Sequence, residues 1–339
     1  MYKKEGFCQF LKAVRSMITL DGFINSKIVL AFISSLLIAL LLGPLIIPML
    51  HKLKFGQNIR KLGPQSHLKK AGTPTIGGLI FITSTLVAMI VTGNKLTDEG
   101  MAVMYGMLAF GLIGFLDDLL KIIHKDNEGL TSIQKFVLQI LFSLGAAYYG
   151  YTTIGTEIII PFVNKTIDLG WILVPFIIFY FAALTNAVNL TDGLDGLNTS
   201  VTIIVMAFFS IVSFSTGHES VAIFCVALVG GLLGFLKYNA HPAKVFMGDT
   251  GSLALGGALS MIVLVLKNPL LVIIVGGIYV LETVSVVIQV TYYKRTKKRF
   301  FKMAPIHHHF EQLGWSEVKI VTIFSLITLI LCFIGVISL

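Results

Sequence analysis

The chain has 339 residues, of which 55% are hydrophobic and only 13% are charged, with a net charge of +9 and a mean hydropathy of +0.88. An average soluble domain carries roughly 25% charged residues. The composition therefore excludes an ordinary soluble protein and predicts an all-α polytopic integral membrane protein, a single transmembrane domain over residues 1–339. Its three scattered cysteines predict neither a disulfide framework nor a thiolate metal site.

Residues 1–26 precede the first long apolar segment. Apolar residues from Phe7 to Ile18 recur at helical spacing, which predicts an interfacial or external helix on the membrane surface. Lys12 and Arg15 interrupt this segment, and no small-residue cleavage site follows it, so a cleavable signal peptide is not expected.

About ten apolar segments lie near the roughly 20 residues that a membrane-spanning helix requires. They are residues 28–50, 74–92, 101–116, 133–151, 171–187, 199–216, 220–236, 252–267, 270–291 and 318–338.

The loops between these segments differ in charge. The five odd-numbered loops carry 18 of the 26 Lys and Arg residues, and they span 51–73, 117–135, 186–198, 237–251 and 292–319. The positive-inside rule places these loops in the cytoplasm and both termini outside. The basic N-terminal tail opposes this assignment locally.

The first odd-numbered loop ends in a Gly-Thr-Pro turn. Most of its basic residues are interpreted as topology anchors. Lys70 differs, because it lies two residues before the turn that leads into the next helix, with Thr75 just beyond it. Its ammonium group is therefore a candidate for a site at the membrane surface.

Two adjacent carboxylates, Asp117 and Asp118, end the third span. Adjacent carboxylates repel each other, so either one is protonated or both face a cation. At a helix C-terminus they also oppose the macrodipole. The sequence favours a divalent ion beside one of them with the other acting as a base, and the alternative is a pair of solvated acids.

Residues 152–170 form an even-numbered loop. The pattern around an Asn-Lys pair predicts a small external strand pair, to which no chemistry is assigned.

The stretch 186–198 sets two carboxylates and three carboxamides directly after an apolar run. Acids near membrane-spanning segments are functional candidates, because burying them in lipid is costly. Gly193 and Gly196 each follow an aspartate and allow the close backbone approach that a phosphate-holding or metal-holding turn needs. The alternative is a polar loop whose residues cap helices.

Asp249 precedes Thr-Gly-Ser at the start of a span. A helix N-terminus, a carboxylate and hydroxyl groups meet there, which favours a phosphate with its metal ion. An ordinary N-cap is the alternative.

The last odd-numbered loop contains a basic run from Lys294 to Lys302 and then three histidines, His307, His308 and His309. The basic run is interpreted as a topology anchor that attracts anionic lipid head groups. Consecutive histidines are poor zinc ligands, because a metal site needs side chains on one face.

Together these motifs resemble the polyprenyl-phosphate N-acetylhexosamine-1-phosphate transferases. The resemblance rests on the adjacent aspartates, the run Asn-Leu-Thr-Asp-Gly-Leu-Asp-Gly and the run Phe-Met-Gly-Asp-Thr-Gly-Ser. The run Ala-Pro-Ile-His-His-His-Phe-Glu points to the muramoyl branch. The resemblance implies a Mg²⁺-dependent transfer of phospho-N-acetylmuramoyl-pentapeptide from its UDP donor to undecaprenyl phosphate, at the cytoplasmic face of a bacterial inner membrane.

The resemblance also implies roles for individual residues. Asp249 resembles the metal-binding aspartate, and Asp117 the residue that activates the lipid phosphate, with Asp118 beside it. His307, His308 and His309 fall where the family needs its histidines. The implied donor-binding residues are Lys70, Thr75, Asn186, Asn189, Asp192, Gly193, Asp195, Asn239, Phe246 and Gln289.

Membrane lipid is a further expected partner, a homodimer is left open, and no nucleic acid is expected. Within the enzyme class, the alternative is a GlcNAc-1-phosphate transferase, against which the histidine run counts. A transporter of an anionic solute is disfavoured, because transporters place ionisable groups near the bilayer midplane and only Glu282 lies inside a predicted span away from its ends.

Overall fold

The computed structural model describes residues 27–53, 70, 72–92, 97–124, 129–163 and 165–339. Within these residues the protein contains twelve α-helices, one short π-helix at Gly150–Ile154, one 3₁₀-helix at Gly170–Ile172 and one two-stranded sheet. The helices are α1 Lys27–Lys52, α2 Gly78–Val91, α3 Asp98–His124, α4 Ser132–Tyr149, α5 Leu173–Leu190, α6 Leu197–Ser215, α7 Glu219–Asn239, α8 Gly248–Val265, α9 Leu271–Val275, α10 Gly277–Thr296, α11 Ile306–Gln312 and α12 Glu317–Ser338. The predicted interfacial helix of residues 1–26 lies outside the described residues.

The helical membrane class is confirmed, whereas the number of spans is not. Six helices of the described chain are long and apolar enough to cross a membrane, namely α1, the segment Gly170–Leu190, α6, α7, α8 and α12. Helix α2 is a shorter apolar helix, and α3, α4 and α10 cover three more of the predicted segments. The predicted segment 270–291 is not one helix, because Gly276 separates α9 from α10.

Helix α8 lies at the centre of the molecule, with 89% of its residues buried. It packs along α3 and α5. Its small residues make this possible: Gly106 of α3 lies against the backbone of Gly257. At the other end of the same contact, a Cβ atom on Gly114 would collide with the carbonyl of Asp249. Close helix approach through small residues is typical of membrane proteins, and here it brings the end of α3 to the start of α8.

The strand pair lies at one end of the helical bundle. Strand β1, Glu157–Ile160, pairs antiparallel with β2, Lys165–Asp168, as the sequence predicted. The amide of Phe162 donates to the carbonyl of Ser338 at the end of α12, and the N–O distance is 2.7 Å. The hairpin is therefore tied to the helix ends beside it.

Described residues from each of the five odd-numbered loops meet at the opposite end of the bundle. Polar contacts join Lys70 to Asp195 and Glu317, and Lys121 to Asp249. The polar residues that the sequence distributes over more than 200 positions therefore come together at one end.

Candidate active site

Three carboxylates converge where α3 meets α8. One oxygen from each of Asp117, Asp118 and Asp249 lies within 4.8 Å of the others. Asp117 and Asp118 are buried, and the side chain of Asp249 is 19% exposed. Asp249 is therefore the carboxylate of the three that remains open to an entering ligand.

Two lysines bridge this carboxylate cluster. Lys121 Nζ lies 2.6 Å from Asp117 Oδ2 and 3.1 Å from Asp249 Oδ2. Lys135 Nζ, from the first turn of α4, lies 3.2 Å from Asp117 Oδ1 and 2.8 Å from Asp249 Oδ2. The two ammonium groups thus offset much of the charge that the three carboxylates carry.

Asp118 accepts hydrogen bonds from the N-terminal residues of α8. Its carboxylate accepts from the Thr250 amide at 2.9 Å, from the Thr250 hydroxyl at 2.7 Å and from the Asp249 amide at 3.3 Å. The two amides belong to the first turn of α8, where backbone N–H groups lack intrahelical acceptors. Asp118 therefore joins α3 to α8 and fixes the backbone of Asp249.

Burial raises the pKa values of the acids in this region. Desolvation raises the pKa of Asp118 to about 7, and the charge of Asp249 adds to the effect. Desolvation also raises the pKa of Asp117 and, in the turn after α5, that of Asp192. Burial by itself would lower the pKa of Lys121, but the surrounding carboxylates outweigh it and raise that pKa. Negative charge is in excess, which favours a bound cation.

The two asparagines near the end of α5, Asn186 and Asn189, have different hydrogen-bond partners. Asn189 Nδ2 donates to Asp249 Oδ1 at 2.8 Å and to Ser252 Oγ at 2.7 Å, so it belongs to the cluster. Asn186 Nδ2 donates instead to Gln139 Oε1 at 3.1 Å and to the Ala182 carbonyl at 2.7 Å. Asn186 therefore connects α5 to α4.

A second polar group surrounds Lys70. Lys70 Nζ lies 2.7 Å from both Asp195 Oδ1 and Glu317 Oε2. Asp195 Oδ2 also lies 3.2 Å from His241 Nδ1 and accepts from the Ala243 amide at 2.9 Å. This Lys70 group connects the loop before α2, the turn after α5, the loop after α7 and the start of α12.

Backbone pairing places Thr75 and Phe246 near the cluster. The Phe246 amide donates to the Pro74 carbonyl, and the Gly77 amide donates to the Phe246 carbonyl, both at 2.9 Å. Thr75 and Asp118 flank Gly248, whose φ of +70° lies in the left-handed region. A side chain there would collide with both neighbours, so glycine lets the loop pass between them.

Two predicted donor-binding residues hold loops together. Asn239 is buried, accepts from the Thr199 hydroxyl at 2.7 Å and donates to the Val245 carbonyl at 3.0 Å. Gln289 Oε1 accepts from the amides of Phe300 and Phe301 at 3.1 and 2.8 Å. In this structure both side chains shape the loops that border the site.

The three histidines have different surroundings. His307 is buried beside Gly193 and Glu282. His308 Nδ1 lies 2.6 Å from Glu311 Oε2, and His309 Nδ1 accepts from the Lys302 amide at 3.1 Å. The run therefore does not present three imidazoles to a single point.

Sequence reasoning missed several members of these groups. Lys121 lies four residues after Asp117 on one helix, a spacing that favours ion pairs and would have revealed it. Lys135 and Glu317 begin helices far along the chain, where they look like ordinary first-turn residues. No sequence pattern pairs either of them with its partners.

The carboxylate cluster fits a divalent cation. Mg²⁺ and Ca²⁺ prefer carboxylate and carbonyl oxygens, and the donor set of Asp117, Asp118 and Asp249 is all oxygen. A second group, Asp195, His241 and Glu317, also has ligand atoms within 4.8 Å. Lys70 already supplies a positive charge to that group, so the first cluster is the better cation site.

A polytopic helical protein that holds carboxylates and lysines together at its helix ends has the features of a membrane-embedded phospho-sugar transferase. Residues 101–267 match the model of glycosyl transferase family 4. The chain is 64% identical to a phospho-N-acetylmuramoyl-pentapeptide-transferase of Clostridium botulinum (strain Alaska E43 / Type E3) over 95% of this chain and 99% of the relative. It is 62% identical to one of Clostridium beijerinckii over 93% and 98%, and 61% identical to one of Clostridium perfringens (strain 13 / Type A) over 93% and 100%.

The chain therefore belongs to the phospho-N-acetylmuramoyl-pentapeptide-transferases. This family is the one that the sequence motifs resembled, and the GlcNAc-1-phosphate alternative is not favoured.

Proposed function

We propose that the protein transfers phospho-N-acetylmuramoyl-pentapeptide from its UDP donor to undecaprenyl phosphate, releasing UMP and forming lipid I. This reaction is the first membrane step of bacterial peptidoglycan synthesis. The observation that carries the proposal is the cluster of Asp117, Asp118 and Asp249 bridged by Lys121 and Lys135. The sequence similarity to the relatives described above covers almost the whole chain, and their names support the same reaction.

The charges of the cluster suit an attack of one phosphate on another. A phosphate monoester has a second pKa of about 6 and is largely dianionic at neutral pH. Its attack is therefore limited by repulsion from the donor diphosphate. Lys121 and Lys135 already bridge two carboxylates and would relieve that repulsion by turning toward the phosphate oxygens.

Asp249 is the residue that would chiefly hold Mg²⁺, and Asp117 lies beside it. When bound, the cation would neutralise charge on the transferred phosphoryl group. Asp249 is open to solvent and is held in place by Asn189. Asp117 would orient or deprotonate the lipid phosphate. Asp118 is committed to the amides of α8 and would position Asp249.

The donor would bind between the cluster and the Lys70 group. The turn after α5 contains Asp192, Gly193 and Asp195 and lies between the two. Lys70 is paired with Asp195 and Glu317, so donor binding would exchange these ion pairs for contacts with the nucleotide. Two further predicted donor residues, Asn239 and Gln289, would act through the loops they hold.

The site would face the cytoplasm of the bacterial cell. The five loops that meet there carry 18 of the 26 basic residues, and the positive-inside rule places such loops on the cytoplasmic side. A nucleotide-sugar donor is found on the same side.

The testing experiment measures UMP release by the purified full-length protein. The substrates are undecaprenyl phosphate with either UDP-MurNAc-pentapeptide or UDP-GlcNAc, and Asp249→Asn is the inactive control. With undecaprenyl phosphate present, we expect UMP release from UDP-MurNAc-pentapeptide and not from UDP-GlcNAc. Chelation of divalent cations should abolish this release, and added Mg²⁺ should restore it. Release with UDP-GlcNAc alone would overturn the assignment of donor, and release unaffected by chelation would overturn the role of the cation.

A further inference from the structure

Glu282 is a carboxylate buried inside a membrane protein, and the proposed reaction does not use it. It lies on α10 within a predicted span and is 0% exposed. An acid at such a position is costly and marks function when it has a specific partner. Its partner is His307, whose Nδ1 lies 3.0 Å from Glu282 Oε2. His307 is itself fully buried.

The far side of the His307 ring lies against the turn after α5. A Cβ atom added to Gly193 would collide with His307 Nε2, so the imidazole fills the space that a side chain at position 193 would need. Gly193 lies between Asp192 and Leu194 and two residues before Asp195. The imidazole is thus inserted between α10 and the turn that holds two predicted donor-binding aspartates.

The geometry of the pair also defines the orientation of the ring. A carboxylate that lies against one imidazole nitrogen restricts the rotation of the ring, as the carboxylates behind metal-binding histidines do. Here that nitrogen is Nδ1, so Nε2 is directed at Gly193. Among the described residues neither His307 nitrogen has a hydrogen-bond partner of good geometry, and nothing else holds the ring by a polar contact.

We propose that Glu282 is a positioning residue that fixes the turn of residues 191–196 through His307. What the turn contributes to catalysis rests on the proposed function, whereas the three-part contact of Glu282, His307 and Gly193 does not. The inference therefore has one test in the folded protein and one test in the reaction.

The first test uses melting temperatures of the detergent-solubilised full-length chain. Gly193→Ala should lower the melting temperature in the native background and lower it much less when His307→Ala has removed the ring. Glu282→Gln and His307→Asn should each lower the melting temperature, and the double variant should be no worse than the more damaging single variant. Interaction terms of this kind are typical of residues in contact. Additive effects in both cycles would overturn the contact, whether or not the protein releases UMP.

The second test measures kcat and KM for the UDP donor. Gln at position 282 keeps an acceptor for Nδ1, whereas Glu282→Leu removes it. We expect Glu282→Leu to lower kcat/KM roughly 10- to 100-fold, as for other carboxylates behind histidines, with Glu282→Gln intermediate and KM for undecaprenyl phosphate unchanged.

Ser285→Ala is the matched control, because Ser285 is buried on the same helix and, among the described residues, its hydroxyl donates to the Glu282 carbonyl. It should leave both constants near those of the native protein. If Glu282→Leu matches Ser285→Ala in the reaction, or changes the KM values of both substrates equally, Glu282 does not position the donor turn. If the native protein does not release UMP, the proposed function fails while the melting-temperature cycles still decide the contact.

Discussion

Asp249 is the carboxylate of the cluster that both lysines and Asn189 contact. Lys121 and Lys135 contact one of its oxygens and Asn189 contacts the other. Asp118, in contrast, is surrounded by backbone and hydroxyl donors of α8. The three acids therefore have different tasks although all are aspartates.

These differences predict the order of damage on substitution. Asp249→Ala removes the ligand that would hold the cation, a contact worth several kcal/mol. Asp117→Asn removes a base or an orienting group, which costs roughly 10² to 10⁴ in rate. We therefore expect Asp117→Asn to retain measurable UMP release while Asp249→Ala falls below detection. The reverse order would contradict the assignment of Asp249 as the main metal ligand.

Substitution of the same residues can distinguish a single in-line displacement from a two-step route through an enzyme-bound intermediate. In a single in-line displacement, no UMP forms until undecaprenyl phosphate is present. An aspartate that first formed an acyl phosphate would instead release UMP without acceptor and exchange labelled UMP into the donor. We expect no exchange in protein freed of endogenous lipid acceptor. Exchange that is lost in Asp117→Asn would establish the two-step route.

The positions of Lys121 and Lys135 predict that both lysines raise the Mg²⁺ concentration that the protein needs for activity. Their ammonium groups contact the oxygens that a cation would use, so each competes with it. Lys135→Gln should lower the Mg²⁺ concentration for half-maximal activity by at least about tenfold, since tenfold corresponds to about 1.4 kcal/mol and a unit charge at this distance is worth about 4 kcal/mol near a protein surface. It should also lower kcat by about 10²-fold, because the phosphates lose a neutralising group.

A Mg²⁺ titration of UMP release measures both effects. Lys244→Gln, which alters an exposed lysine of a neighbouring loop, should change neither quantity. A higher metal requirement in Lys135→Gln would show that the lysine helps the cation to bind rather than competing with it.

The residues visible from the sequence were those with unusual neighbours. Adjacent aspartates, Gly after Asp and a carboxylate at a helix start are local patterns, and each marked a member of the site. Glu317 and Lys135 have ordinary neighbours and join the site through partners that are distant in the sequence, such as Lys70 for Glu317 and Asp249 for Lys135. The resemblance counts His307 among the histidines that the family needs, whereas its burial against Glu282 depends on helix packing that no local pattern encodes.

At the scale of elements, the crossing of α3 and α8 sets the distance between Asp117 and Asp249. Gly114 allows the two backbones to touch. Gly114→Ala should push the helices apart, lower the melting temperature by several degrees and reduce UMP release more than the loss of folded protein explains. Measurements of both quantities on the same purified sample would separate the two effects.

Gly100 offers a control on the same helix. A Cβ atom there would lie 3.3 Å from Ser220 Cβ, a contact that a small shift relieves. Gly100→Ala should therefore be tolerated. Equal losses in Gly100→Ala and Gly114→Ala would mean that helix flexibility, not the close approach, is what the glycines provide.

Apolar runs predicted helices well and their continuity less well. Hydropathy located a helix on every predicted segment, because a membrane requires each span to satisfy its own backbone hydrogen bonds. It did not reveal the break at Gly276 between α9 and α10, since the apolar side chains continue through it. The break depends on backbone conformation, to which a hydropathy average is blind.

The whole molecule has two chemically different ends. One end holds the carboxylate cluster and the Lys70 group, and the other holds the strand pair tied to the end of α12. This polarity predicts that Lys244→Cys is labelled from the cytoplasmic side and Thr166→Cys from outside. Both positions are exposed, and a Cys8→Ser background leaves only the buried Cys225 and Cys332.

The accessibility of each cysteine is measured by labelling intact cells and inverted vesicles with a membrane-impermeant maleimide. Labelling of Lys244→Cys from outside intact cells would reverse the orientation, and with it the access of a cytoplasmic nucleotide donor to the site.

The buried position of α8 also bears on how the protein enters the membrane. Of the six candidate spans α8 has the lowest hydropathy, 1.5, and the largest buried share. Its small residues suit contact with other helices rather than with lipid tails. A segment of this kind is a weak insertion signal by itself, so during synthesis α8 depends on helices already in the bilayer. Among the six candidate spans, we therefore expect the helix that presents Asp249 to rely most on its predecessors for insertion into the membrane.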